Sequence, residues 1–146
     1  MIDIPRKCIE EHQGAELVCE ENHRKMIFHK SAERIAEKIQ IDKCVPMQGK
    51  RCDYLVRDWK NRHHFVELKG RKVMAAFDQL EASIPQLVET APHLRPQIWC
   101  FIVCSKYPQV PKERTGYQNR QTQLKKRWNA ETRVMAQVGR HELTDD

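Results

Sequence analysis

The sequence predicts an α/β (α+β) domain, a mixed β-sheet with helices packed on it. Three observations carry this expectation: period-two alternation in the centre of the chain, a helical apolar stripe after it, and then an almost wholly apolar run. The 146 residues suit one domain with one core, expected over the whole span 1–146.

Pro5 precedes a short helix expected over Arg6 to His12, which Gly14 ends. Ala15 to His29 holds two strand-like runs, Glu-Leu-Val-Cys and Lys-Met-Ile-Phe, on either side of Asn22-His23. Ser31 offers an N-cap to helix formers reaching Lys38, a helix too short to stand alone. Lys38 to Cys44 alternates apolar and polar residues and reads as a strand, and Pro46 to Gly49 makes a turn. Arg51 to Arg57 and His63 to Lys69 are two further strands joined by the loop Asp58 to Arg62.

Val73, Phe77, Leu80, Ile84 and Leu87 recur at alternating spacings of four and three, which makes one helical stripe. Pro85 lacks an N–H, so this helix is expected to kink or end near Ser83. Gln97 to Ser105 is nearly all apolar, as in a central strand covered on both faces. The helix-length crossover before it predicts parallel entry into the sheet. Gln118 to Asn129 reads as a basic helix anchored by Leu124 and Trp128, and Arg133 to Val138 as a last edge strand.

The longest apolar run is about six residues, Ile98 to Val103, far short of the roughly 20 a membrane span needs. The N-terminus has no apolar core of a secretory signal, so a cytoplasmic, intracellular setting is expected. Cys8, Cys19, Cys44, Cys52, Cys100 and Cys104 contain no CxxC pair, and they are expected to be reduced and structural. The net charge is +6, and between Pro111 and Arg140 eight basic residues face only Glu113 and Glu131. Such a segment attracts polyanions, nucleic acid foremost, although a solvated helix face has the same composition.

Asp53, Glu67 and Lys69 are the residues that carry chemistry. A strand places residues i and i+2 on one face, so Glu67 and Lys69 point the same way. If the hairpin loop is symmetric about Lys60, Asp53 lies opposite Glu67, with Cβ atoms roughly 5 Å apart. Two carboxylates that close repel each other, and a hard divalent cation relieves the repulsion. The Leu68 carbonyl, between Glu67 and Lys69, is a further candidate ligand. Lys69 would stabilise charge at phosphorus or orient the attacking water. A plain cross-strand ion pair between Asp53 and Lys69 is the alternative.

Cys52-Asp53-Tyr54 and Glu67-Leu68-Lys69-Gly70, with the helix and strand that follow, resemble the PD-(D/E)xK nuclease superfamily of restriction-endonuclease-like fold. The similarity spans Arg6 to Ser105, about two thirds of the chain. It implies metal-dependent phosphodiester hydrolysis with Mg²⁺ or Mn²⁺, held by Asp53 and Glu67 and supported by Lys69. It also implies a further Glu on the first helix, for which Glu10 and Glu11 are the candidates, with Glu16 behind them. Gln79 looks like a helical Gln found in some branches. Ser83 stands where one such branch has Tyr, and Cys52 where the family motif has Pro.

The expected function is therefore a nuclease acting on DNA rather than RNA, or else a nucleic-acid-binding module of the same fold. Arg71 and Lys72, beside the centre, and Arg120, Lys125, Lys126 and Arg127 in the basic segment are the expected nucleic-acid contacts. A homodimer or a partner protein is a candidate arrangement for so small a chain. Adjacent His63 and His64 point to opposite strand faces and make a poor zinc pair. Trp59 at the hairpin tip either stacks on a base or packs on a neighbour.

Overall fold

The computed structural model describes residues 1–70, 72–107 and 110–146. The chain is a mixed α+β structure with two helices and two mixed sheets. After a single 3₁₀ turn at Arg6–Cys8 come strands β1 (Ile9–Gln13), β2 (Glu16–Glu21), β3 (Arg24–His29), β4 (Ile35–Gln40), β5 (Tyr54–Arg57) and β6 (His63–Leu68). Helix α1 (Val73–Leu87), β7 (Ile98–Cys104), helix α2 (Pro111–Trp128), β8 (Glu131–Ala136) and β9 (Val138–Glu142) complete it. The larger sheet has the order β1-β4-β5-β6-β7-β8, and the smaller has β2-β3-β9.

The two faces of β6 lead into two cores. Phe65, with Leu55, Ile39, Cys100 and Ile102, packs under α1 residues Phe77, Leu80 and Ile84 and under Leu124 and Trp128 of α2. On the other face Val66 and Leu68, with Val56, Phe101 and Val103, meet Leu17, Cys19, Met26 and Phe28 of the smaller sheet. Each of these large apolar side chains contributes roughly 1.5–3 kcal/mol on burial. Both layers bury β6 and β7, which explains why β7 is apolar throughout, and the α1 crossover brings it in parallel to β6, as expected.

Several local expectations are corrected. The segment expected as a helix over Arg6 to His12 is one 3₁₀ turn followed by β1, antiparallel to β4. The segment from Ser31 to Lys38 is a turn leading into β4, and that strand stops at Gln40 rather than Cys44. Inter-strand hydrogen bonds outweigh weak helix propensity in both places, and Glu10 faces Lys38 across the pair. Helix α1 runs through Pro85 to Leu87, because Ile84 and Leu87 are buried in the core and hold the last turn. Helix α2 begins at Pro111, where proline suits a first helical turn. The last strand expected over Arg133 to Val138 is β8, followed by the unexpected β9.

Gln137 takes φ 64° between those strands, and the chain crosses there from one sheet to the other. Gly139 then lies so close to Met26 and Met135 that a Cβ would come within 2.7–2.9 Å of their thioether ends. Cys8 and Cys44 form a disulfide with Cα atoms 5.8 Å apart, contrary to the expectation of reduced cysteines. Residues 36 apart in sequence meet because the 3₁₀ turn lies against the turn after β4. The other four cysteines are free and buried, as expected. Among the described residues no helix is long and apolar enough to cross a membrane.

Candidate functional site: an acidic centre at the carboxyl ends of β6 and β7

The β5–β6 hairpin pairs Tyr54 with Val66, Leu55 with Phe65, Val56 with His64 and Arg57 with His63, the register expected for a loop centred on Lys60. Asp53 lies one residue before β5, in a bend, and Glu67 lies in β6. Asp53 is held on both sides. Its Oδ2 accepts the Leu68 N–H at 2.8 Å, and its backbone carbonyl accepts the Ile41 and Asp42 N–H groups at 2.9 and 3.4 Å. Helix α1 pins the preceding residue: Ser83 Oγ accepts the Cys52 N–H and donates to the Gln79 carbonyl, both at 2.8 Å.

Asp53 is 8% exposed and Glu67 is 1% exposed, and their carboxyl groups meet. Burial, then the charge and hydrogen bond of Asp53, push Glu67 up to about 10, and the Lys69 ammonium only partly opposes them. Glu67 Oε2 is buried with no donor reaching it among the described residues. Lys69 is half-buried and continues the ladder, donating its N–H to Val103 at 2.9 Å. The structure thus brings Asp53, Glu67, Leu68 and Lys69 to one end of the sheet.

The third acidic group is Glu21, which the sequence reading missed. Burial and then the Asp53 charge raise its pKa. Glu21 and Asp53 line a cleft of about 170 Å³ with Gln40, Asp42, Lys43 and Tyr54. Asn22 and His23, at φ 50° and 66°, form the two-residue turn that ends β2 at Glu21. The turn was legible in the sequence, but the folding of that hairpin over the end of β6 was not.

Glu10, Glu11 and Glu16 are not brought to the pair. Glu10 and Glu11 lie on the edge strand β1, beyond β4, and Glu11 is 3.9 Å from Arg6. Glu16 lies at the far end of β2, with its carboxylate 3.7 Å from His29. Gln79 sits one helical turn before Ser83 and does not line the cleft.

The basic residues divide. Lys72 is the exposed N-cap of α1, three positions after Lys69, and Arg71 lies outside the described residues. Arg120 is spent on Asp78 and Glu81, at 2.7 and 2.9 Å. Lys125 pairs with Glu131, and Arg127 lies over the Trp128 ring at 5.4 Å. Lys126 is exposed. Glu131 is opposite Trp99 at the amino end of β7, so Lys125, Lys126 and Arg127 lie at the end of the sheet away from Asp53. Helix α2 must run back along the parallel strands it connects, which carries its basic C-terminal turn to their starting ends. Trp59 packs rather than standing free: its Nε1 donates to Asp145 at 2.9 Å.

Among the described residues no three His, Cys, Asp or Glu side chains form a ready ligand cluster. Two acidic oxygens, a backbone carbonyl and waters are nonetheless an ordinary Mg²⁺ donor set, and the unpartnered Glu67 Oε2 fits one. No protein-family model, curated protein or solved structure matches the chain.

Proposed function

We propose that this chain is a divalent-metal-dependent nuclease of restriction-endonuclease-like fold that hydrolyses phosphodiester bonds in DNA. The observation that carries the reading is the buried meeting of Asp53 and Glu67, with an Oε2 that no donor satisfies among the described residues and with Lys69 at the same strand end. Asp53 and Glu67 would hold Mg²⁺ or Mn²⁺, with the Leu68 carbonyl as a further ligand. When bound, such an ion polarises a phosphate oxygen and acidifies a water.

The chain's own groups do the rest. Glu67, whose pKa is raised by burial and by the Asp53 charge, would hold the ion as a carboxylate. Asp53 keeps its aim through the Leu68 N–H. Lys69 orients the attacking water and balances negative charge developing on the phosphate oxygens. Glu21 lines the cleft beside Asp53. Gln79, outside the cleft lining, takes no part in this scheme.

A second reading is a nucleic-acid-binding module with little or no cleavage. The near-complete burial of Glu67 favours it, since a protonated Glu67 donating to Asp53 is a stable arrangement by itself. A cleavage panel separates the two: single- and double-stranded DNA and RNA, each with Mg²⁺, Mn²⁺ or EDTA. The nuclease gives product only with the metal, and Lys69→Ala abolishes cutting while binding persists. Absence of metal-dependent product from every substrate rejects the hydrolase.

A further inference from the structure

We propose that Arg24 is a phosphate anchor, presented by the β2–β3 hairpin to nucleic acid lying across the carboxyl ends of β6 and β7. The inference rests on reading this end of the sheet as a nucleic-acid site, but it does not depend on cleavage. Arg24 is the register partner of Glu21, so one hairpin tip carries the third acidic group on one strand and a guanidinium on the other. That guanidinium lies over the segment following β6. A Cβ on Gly70 would be 3.9–4.0 Å from both of its terminal nitrogens. Gly70 directly follows Lys69 in the chain, so Arg24 lies at the same end of the sheet as the proposed catalytic lysine.

Arg24 differs from the arginines that are held by acids. Arg6, Arg34, Arg57, Arg62 and Arg120 each pair with a carboxylate. Among the described residues Arg24 forms no such ion pair, and Nη1 donates to a neutral group, Ser105 Oγ, at 2.9 Å. Its Nε is buried and makes no hydrogen bond among those residues. Its register neighbour Glu21 forms no ion pair with it among the described residues. A part-buried cation with an idle donor is under-satisfied, and a planar guanidinium matches a phosphate group in a paired hydrogen bond.

The position is built rather than incidental. Ser105 donates its N–H to the Gly70 carbonyl at 2.8 Å, which knits together the ends of β6 and β7 under the guanidinium. Ser105 Oγ then fixes one arm of the fork. Gly70 has no side chain to fill the space beneath. The tight Asn22-His23 turn sets how far the hairpin tip reaches.

The test is equilibrium binding of labelled single-stranded and duplex DNA oligonucleotides to the full chain in EDTA, over a series of salt concentrations. Arg24→Ala is expected to weaken binding at least about tenfold, the loss expected for one charged hydrogen bond. The slope of log affinity against log salt is expected to fall by about one. Arg24→Lys keeps the slope but loses affinity, because a point charge replaces the fork. Arg6→Ala, which removes an exposed charge paired with Glu11, serves as the control. If Arg24→Ala matches Arg6→Ala in affinity and slope, or if the wild-type chain binds neither oligonucleotide, the proposal is overturned. Should Arg24→Ala not fold, Arg24→Lys and Ser105→Ala decide: both are expected to bind several-fold more weakly, and wild-type binding by both overturns the anchor. A chain that binds through Arg24 yet gives no product with Mg²⁺ or Mn²⁺ loses the hydrolase reading and keeps the anchor.

Discussion

Asp53 Oδ2 accepts the backbone N–H of Leu68 at 2.8 Å, so the first acidic residue is tied to the peptide that follows the second. A cross-strand carboxylate thereby becomes a fixed one. Asp53→Asn keeps an oxygen for Leu68 and removes the charge. It is expected to retain the melting temperature within a few degrees and to lose metal-dependent cleavage. Asp53→Ala leaves the buried Leu68 N–H without an acceptor, at a cost of about 1–3 kcal/mol, set against relief of its repulsion with Glu67. Thermal melts and a cleavage assay on both variants check this.

Glu67 makes the metal-free chain sensitive to alkaline pH. Its folded pKa is raised from an ordinary 4.5 to about 10, so its contribution is fully present below 4.5 and is lost as pH rises through that window. Glu67→Gln is therefore expected to melt higher than wild type at pH 8 in EDTA. The difference should vanish near pH 4, while cleavage is absent throughout. A variant that melts lower at pH 8 would contradict the burial of an unrelieved acid.

The slope on the acid side has a different source. His64 accompanies Phe28 and Phe101 between the sheets, and His141 contacts Trp99 and Phe101 with ring centroids 4.7 and 4.9 Å away. Burial leads the causes that lower both imidazoles from 6.5 to about 4. The unfolded chain takes up those protons first. Stability is thus expected to fall as pH drops from 6.5 toward 4, and His141→Gln should flatten the fall measured by urea unfolding at stepped pH.

The Cys8–Cys44 disulfide closes a loop of sequence separation 36, worth about 4 kcal/mol by loop entropy. Cys44 belongs to the turn whose Ile41 and Asp42 N–H groups hold the Asp53 carbonyl. Reduction, or Cys8→Ser, is expected to lower the urea midpoint and to reduce cleavage more than oligonucleotide binding. An unchanged midpoint under reductant would show that the bond contributes nothing.

The basic C-terminal turn of α2 lies at the opposite end of the sheet from Asp53. Double replacement Lys126→Ala with Arg127→Ala is expected to change oligonucleotide affinity less than Lys72→Ala does, since those two residues lie at the far end of the sheet from Asp53. A binding titration that ranks them the other way would relocate the nucleic-acid surface.

The features legible along the chain are local or short-range. The β5–β6 register follows from a five-residue loop, and the α1 stripe from the spacing of Val73, Phe77, Leu80, Ile84 and Leu87. The apolar content of β7 follows from burial on both faces. Asp53, Glu67 and Lys69 were legible because one hairpin and one i, i+2 step bring them together. The remainder depended on which distant segments pack together. Residues 9–13 became a strand because β4 offered a partner, and Glu21 reached Asp53 because the second sheet folds over the first. Cys8 met Cys44, and the basic turn of α2 went to the opposite end, through contacts between segments far apart in sequence. Periodicity reports which face of an element is buried; it carries no information about which distant element buries it.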